Sequence, residues 1–251
     1  MASLPPAACC TRGFRHTGES VGKIVDFNGV EAYVTGDEAN AKDKILYFFT
    51  DVIGHNFINA QLIADQYAEK GYYVIAPNLY GDDPVLLNPP EGFDLFNWIS
   101  NHDIAVTQPY VDKTVEGVKA KYGQPKFAAA VGFCFGAKYA IRLLSTGIIQ
   151  SASVFHPSLV EISELEAIKG SLLISAPDDD YIYTTELRHE TEATLKELGK
   201  NGIKYRQVLY NSIGHGFAIR GDISQPMTKY AKERAFKDTV EWFQLTNDYF
   251  A

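Results

Sequence analysis

The feature that most constrains the fold is an alternation, sustained along the chain, of short apolar runs with longer amphipathic stretches. Lys44 to Thr50 (KILYFFT), Tyr72 to Ala76 (YYVIA), Lys126 to Phe133, Ala152 to His156, Ser171 to Ala176 (SLLISA) and Lys204 to Tyr210 read as strands. Helical stretches separate them: Ile58 to Lys70, stopped at Gly71; Gly136 to Ser145; Ser163 to Lys169; and Thr184 to Lys200, closed near Gly199 to Gly202. A last helix runs from about Pro226 to Asn247, with the proline in the first turn, where a missing N–H costs nothing. Its Ala231, Ala235, Val240 and Phe243 fall along one face. Strands joined through helices make right-handed βαβ units and a mainly parallel sheet flanked by helices. Gly22 to Val34 departs from the pattern and reads as an antiparallel edge hairpin turning at Asn28-Gly29.

Residues 81–92 are rich in Gly, Pro and Asp and read as loop, and Phe93 to Tyr122 as a helix interrupted by Pro109. Together they form a cap-like region near 81–122. No internal repeat and no low-complexity linker divides the chain. The expectation is therefore one α/β domain over residues 21–251, with 46% hydrophobic residues to fill its core, preceded by an arm at residues 1–20.

Charge and apolar run length narrow the function classes. Lys plus Arg is 23 against 31 Asp plus Glu, a balance of −8, which argues against bulk binding of nucleic acid or anionic membrane. The longest nearly apolar run, Phe127 to Ala137, falls well short of the roughly 20 residues a membrane span needs. The N-terminus, MASLPPAACCTRGFRH, lacks a basic segment followed by an apolar one, so it is not read as a secretory signal. Arg12 and Arg15, with no acid before Glu19, leave a weak transit-peptide reading; the favoured expectation is a cytoplasmic protein with a loosely structured arm. Three cysteines do not make a disulfide framework. Adjacent Cys9 and Cys10 read as incidental surface residues of the arm. As metal ligands they need two further donors, and only His16 is near in sequence.

In a sheet of this kind chemistry gathers at the C-terminal ends of the strands. The strongest signal there is Gly132-Phe133-Cys134-Phe135-Gly136, a G-x-C-x-G at a strand-to-helix turn. It has the spacing of a nucleophile elbow, with sulfur in place of a serine hydroxyl. Two glycines permit the tight turn, and the helix N-terminus favours a thiolate and a developing oxyanion. The alternative for Cys134 alone is a buried thiol in a glycine-containing connection. Asp178-Asp179-Asp180 follows the next-to-last strand and Gly214-His215-Gly216 the last. The order nucleophile, acid, base is that of α/β-hydrolases, in which the imidazole takes the thiol proton and the carboxylate fixes the imidazole tautomer.

Among the other histidines, His16 lies on the arm, His102 and His189 read as surface residues of helices, and His156 ends a strand and lines the cleft. His55 follows the first core strand and is a candidate substrate contact. GFCFGAK is not a phosphate-binding loop, because three residues rather than four separate its glycines and Ala-Lys-Tyr follows Gly136. No H-E-x-x-H and no Cys/His metal spacing occurs, so no metal or cofactor is expected.

GFCFGAK, DDDYIY, GHGFAIRGD and the loop Thr50 to Asn56 together resemble the dienelactone hydrolase family, in particular its fungal branch, over roughly residues 20–245. The resemblance implies an α/β-hydrolase fold and a Cys134–His215–Asp180 triad that opens an ester or lactone. It places the oxyanion hole at the backbone N–H groups of Phe135 and Val52. Where bacterial members carry a Glu beside the nucleophile this chain has the shorter Asp51, and a nearby anion raises a thiol pKa. Those members hold a substrate carboxylate with arginines. No Arg lies between Arg15 and Arg142, so the region 81–110 supplies none and Arg220 is the candidate anion anchor. Tyr80, Phe93, Phe96 and Trp98 are candidates to line an apolar pocket. The resulting expectation is a cofactor-free thiol hydrolase, monomer or homodimer, acting on a small ester or lactone. Two other classes stay open: a non-catalytic binding or regulatory protein on the same fold, and a redox-sensing thiol protein.

Overall fold

In the computed structural model, which describes residues 1–250, eight strands form one sheet in the order β1-β2-β4-β3-β5-β6-β7-β8. They are β1 (Lys23–Phe27), β2 (Val30–Thr35), β3 (Lys44–Phe49), β4 (Tyr73–Pro77), β5 (Phe127–Phe133), β6 (Ser151–Phe155), β7 (Ser171–Asp179) and β8 (Tyr205–Gly214). β1–β2 and β2–β4 pair antiparallel; every other neighbouring pair is parallel. The edge hairpin turns at Asn28 (φ 57°) and Gly29 (φ 82°), with Phe27 opposite Val30, so two residues with positive φ close it as the Asn-Gly pair requires.

The helices are α1 (Ile58–Ala68), α2 (Leu95–Asn101), α3 (Ile104–Tyr122), α4 (Phe135–Thr146), α5 (Ile162–Glu166), α6 (Thr185–Lys200), α7 (Phe217–Arg220) and α8 (Pro226–Phe250). α7 packs against both α1 and α8, while α4 packs on α5 and α5 on α6, giving two groups that flank the sheet. β5, the central strand, is buried from end to end and reads FAAAVGF. Its small residues let α4 approach closely and bring the strand end under the helix that carries the site.

Two expectations change. The break in the 93–122 stretch lies at His102-Asp103, where the Asp103 carboxylate caps α3 by accepting from Ala105 and Val106 N–H; Pro109 sits inside α3 without ending it. α3 packs on β1, β2 and β4 as a layer helix rather than as part of a cap. Residues 1–20 are not a loose arm either. Ala2 and Ser3 N–H donate to Val160 O and Leu4 N–H to Ile182 O, at 2.7, 3.0 and 2.9 Å. A single 3₁₀ turn at Ala8–Cys10 follows, and Phe14 N–H reaches Arg220 O at 2.9 Å.

Candidate active site

The turn that carries Cys134 is built by sterics. Cys134 sits between β5 and α4 with φ 51° and ψ −114°, a conformation that costs a non-glycine residue about 1–3 kcal/mol. Bonds from Cys134 N–H to Phe155 O and from Ala137 N–H to Cys134 O, both 3.1 Å, hold it there. The flanking glycines are obligatory. A Cβ on Gly132 would lie 2.6 Å from Ala137 Cα, and one on Gly136 would fall onto the carbonyls of Phe49 and Thr50.

Asp180 follows β7 directly and His215 follows β8. His215 Nδ1 lies 2.9 Å from Asp180 Oδ2, and Asp180 Oδ1 accepts from Ile182 N–H at 2.8 Å and Tyr183 N–H at 3.3 Å. Asp178, two positions earlier, instead ties β7 to β8 by accepting from Asn211 Nδ2 and Ile213 N–H. A ring nitrogen of His215 lies within 4.8 Å of Cys134 Sγ. Burial opposes charge on every member, yet mutual interactions outweigh it. Against burial, the hydrogen bond from Cys10 and the charge of His215 hold the Cys134 thiol well below its usual range. Against burial, the Cys134 charge and the Asp180 bond raise His215 to about 10. Despite burial, the His215 bond and charge keep Asp180 lowered. The directions agree on a thiolate beside an imidazolium, an arrangement suited to nucleophilic attack on an acyl carbon.

Three further groups lie nearby: His156, which the sequence places at the cleft, and Cys10 and Ser158, which lie outside the expected set. Cys10 is fully buried, its Sγ 3.4 Å from Cys134 Sγ and 3.4 Å from His215 Nε2. It is therefore part of the site and not an incidental surface residue. Nothing in the arm sequence signals this, because its partners lie 124 and 205 positions away. Ser158 Oγ stands 3.6 Å from Cys134 Sγ. His156 stacks edge-on to His215 at 4.7 Å, and both of its ring nitrogens are buried. Burial lowers its pKa to about 4, so it is neutral.

Arg220 does not offer a free guanidinium. It is fully buried, pairs with Asp51, and donates from Nε to Arg12 O and from an Nη to Cys9 O, each at 3.0 Å. Asp51 also accepts from Ile53 N–H at 3.1 Å. Phe135 opens α4, so its N–H has no partner within the helix, and Val52 lies in the turn after β3. His55 is held by Glu31 at 2.9 Å and His102 is buried, stacked 4.0 Å from Trp98, so it is not a surface residue. Of the four aromatic candidates, Tyr80 and Trp98 pack on Phe135 at 5.5 and 5.8 Å, whereas Phe93 and Phe96 face solvent. A depression of about 390 Å³, lined in part by Cys9, Tyr181, His215 and Arg220, adjoins the triad. No described helix is long and apolar enough to cross a membrane.

Comparison with known proteins bears on the family and the fold. The model of the dienelactone hydrolase family matches residues 30–246. Hydrolase tropI of Talaromyces stipitatus is 40% identical over 97% of both chains, and dienlactone hydrolase 1 of Gibberella moniliformis 32% identical over 96% of this chain and 94% of its own. Among solved structures, a dienelactone hydrolase-like promiscuous phosphotriesterase from metagenomic libraries superposes with a TM-score of 0.70 at 20% identity, covering 91% of this chain and 99% of its own. The dienelactone hydrolase of Anabaena variabilis does so with 0.63 at 13% identity, covering 92% and 99%.

Proposed function

The chain belongs to the dienelactone hydrolase family, and we propose that it is a cysteine-dependent hydrolase opening a small lactone or ester through a thioester acyl-enzyme. The observation that carries this reading is Cys134 held at positive φ on a strand-to-helix turn, with His215 beside it and Asp180 on the far nitrogen of His215. The Cys134 thiolate attacks the acyl carbonyl. The N–H groups of Phe135, at the positive end of α4, and of Val52 stabilise the tetrahedral oxyanion. His215 gives its proton to the leaving alkoxide. It then takes a proton from water, which releases the acid and regenerates the thiolate.

Cys134 and Cys10 are both fully buried, so substrate entry needs the 1–20 segment to move. When it lifts, the Arg220 guanidinium loses the Cys9 and Arg12 carbonyls and becomes available to a substrate anion. With no arginine in 81–110, a neutral lactone or ester suits the site better than the dienelactone itself.

The test compares wild type with Cys134→Ala on p-nitrophenyl acetate, a dienelactone and several neutral lactones. Turnover should vanish in the variant, and intact mass after a slow substrate should show one acyl adduct on Cys134. Turnover that survives the substitution would assign the nucleophile elsewhere, and a folded wild type inert on the whole panel would favour the binding-protein reading.

A second reading is favoured by one distance, the 3.4 Å between Cys134 and Cys10 sulfurs. A peroxide would oxidise this dithiol to a disulfide, two thiol hydrogens leaving with the peroxide oxygens as two waters. Peroxide consumption faster than ester turnover would support it.

A further inference from the structure

Cys10, Cys134 and His215 present three soft donor atoms all within 4.8 Å of one another, although they come from the N-terminal segment, the β5–α4 turn and the loop after β8. A tetrahedral zinc ion with Zn–S near 2.3 Å and Zn–N near 2.0 Å sets its ligands about 3.5–3.8 Å apart. The measured separations, 3.4 Å for Sγ–Sγ and 3.4 Å for Cys10 Sγ to His215 Nε2, lie within a few tenths of those edges. One further observation points the same way. His215 binds a carboxylate through its other nitrogen, Asp180 at 2.9 Å, which is the outer-shell bond that metal-ligating histidines carry. The fourth position is left to water, as in zinc sites with three protein ligands; the buried His156 stands edge-on to His215 at 4.7 Å, outside the set of donor atoms that converge within 4.8 Å. The position of Cys10 is also fixed in advance. One guanidinium, Arg220, holds the carbonyls on either side of it, Cys9 O and Arg12 O.

We propose that Cys10, Cys134 and His215 form a binding site for a thiophilic divalent cation, Zn²⁺ being the reference ion, with water as the fourth ligand, and that occupancy blocks the nucleophile. Thiolate and imidazole donors select zinc over the oxygen-seeking cations Mg²⁺ and Ca²⁺. On binding, the Cys10 thiol proton and the His215 Nε2 proton leave to solvent, and lone pairs from two sulfurs, one nitrogen and one water oxygen close the coordination sphere. The binding half stands on geometry alone; the blocking half rests on Cys134 being the hydrolytic nucleophile.

The experiment uses the reduced, full-length chain. Co²⁺ is titrated anaerobically while thiolate-to-metal charge transfer is followed, Zn²⁺ then displaces it, and Zn²⁺ inhibition of p-nitrophenyl acetate hydrolysis is measured with reversal by EDTA. One equivalent should bind with a tetrahedral spectrum. Cys10→Ala should halve the charge-transfer intensity and weaken affinity on the order of 100-fold or more, and Asp180→Asn by about 10–100-fold. Cys9→Ala should bind as wild type does. Cys10→Ser, nearly isosteric, gives the same comparison if the alanine variant misfolds. Affinity unchanged by loss of Cys10 and of Cys134, or an octahedral Co²⁺ spectrum, overturns the site. Zinc that binds this site in a chain without esterase activity leaves the site standing and sinks the hydrolase reading. Cysteine-dependent hydrolysis indifferent to bound zinc does the reverse.

Discussion

Asp180 shows how one side chain links the fold to the chemistry. It accepts three N–H groups, two from its own turn at Ile182 and Tyr183 and one from His215, so its position and its charge are set before any substrate arrives. An amide in its place keeps the shape but removes the charge that stabilises the imidazolium, and lets the ring adopt the wrong tautomer. Asp180→Asn should therefore lower kcat by about 10³- to 10⁴-fold with little loss of folding stability. Steady-state turnover of a p-nitrophenyl ester beside a urea melt tests this. A variant keeping a tenth of wild-type turnover would remove Asp180 from the role of orienting acid. The neighbouring acids do not substitute for it, because Asp178 is already committed to Asn211 and Ile213.

At the scale of elements, the N-terminal segment and α7 act as one latch. Arg220, the last residue of α7, binds Asp51 after β3 and two carbonyls of the segment, so a single ion pair ties three stretches that are remote in sequence. Arg220→Met leaves the Asp51 carboxylate buried without its partner, at a cost of about 3–5 kcal/mol. Adding Asp51→Asn should recover part of that loss. In the folded double variant the segment is freed, and iodoacetamide should label Cys134 faster than in wild type, by about tenfold or more if opening becomes easier by about 1.4 kcal/mol. Equal labelling would mean that the other contacts of the segment hold it closed. This latch was not legible in the sequence. Strands and long helices announce themselves through local periodicity, so β3 to β8 and the Asn28-Gly29 hairpin could be read directly; strand-end motifs gave the order Cys134, an acid among Asp178–Asp180, then His215, and the family resemblance narrowed the acid to Asp180. Cys10 has no periodic context, and its burial is decided by partners more than a hundred residues away. Pro109 misled for a physical reason: the Asp103 cap outweighs the one hydrogen bond lost at the proline, so the helix boundary moves to the cap.

For the molecule as a whole, the last helix closes the sheet on the side of its last strands. α8 lays Ala231, Ala235 and Phe243 on the core, and Thr239 bonds Ser153 of β6 at 2.7 Å. Asp238 joins α8 to β8: its buried carboxylate accepts from Tyr210 Oη at 3.1 Å, pairs with Arg206 at 2.8 Å, and pairs with Arg234 one turn earlier at 2.7 Å. Burial opposes its ionisation, but the Arg234 bond, the Arg206 charge and the Tyr210 bond outweigh it and hold its pKa below the usual value. A carboxylate lowered in the folded state contributes stability above its unfolded pKa, near 3.9, and loses that contribution as pH falls through the folded value. Both arginines are partly exposed, so the contribution is discounted for solvent to about 1–3 kcal/mol. Asp238→Asn should lower the unfolding free energy from urea melts at pH 7 by that amount, and the gap to wild type should close as the pH is taken below about 4. A gap that stays constant from pH 7 to pH 3 would show that Asp238 joins helix to strand by shape and hydrogen bonding alone. A gap that closes on acidification would identify charge as what fastens the C-terminal helix to the sheet edge.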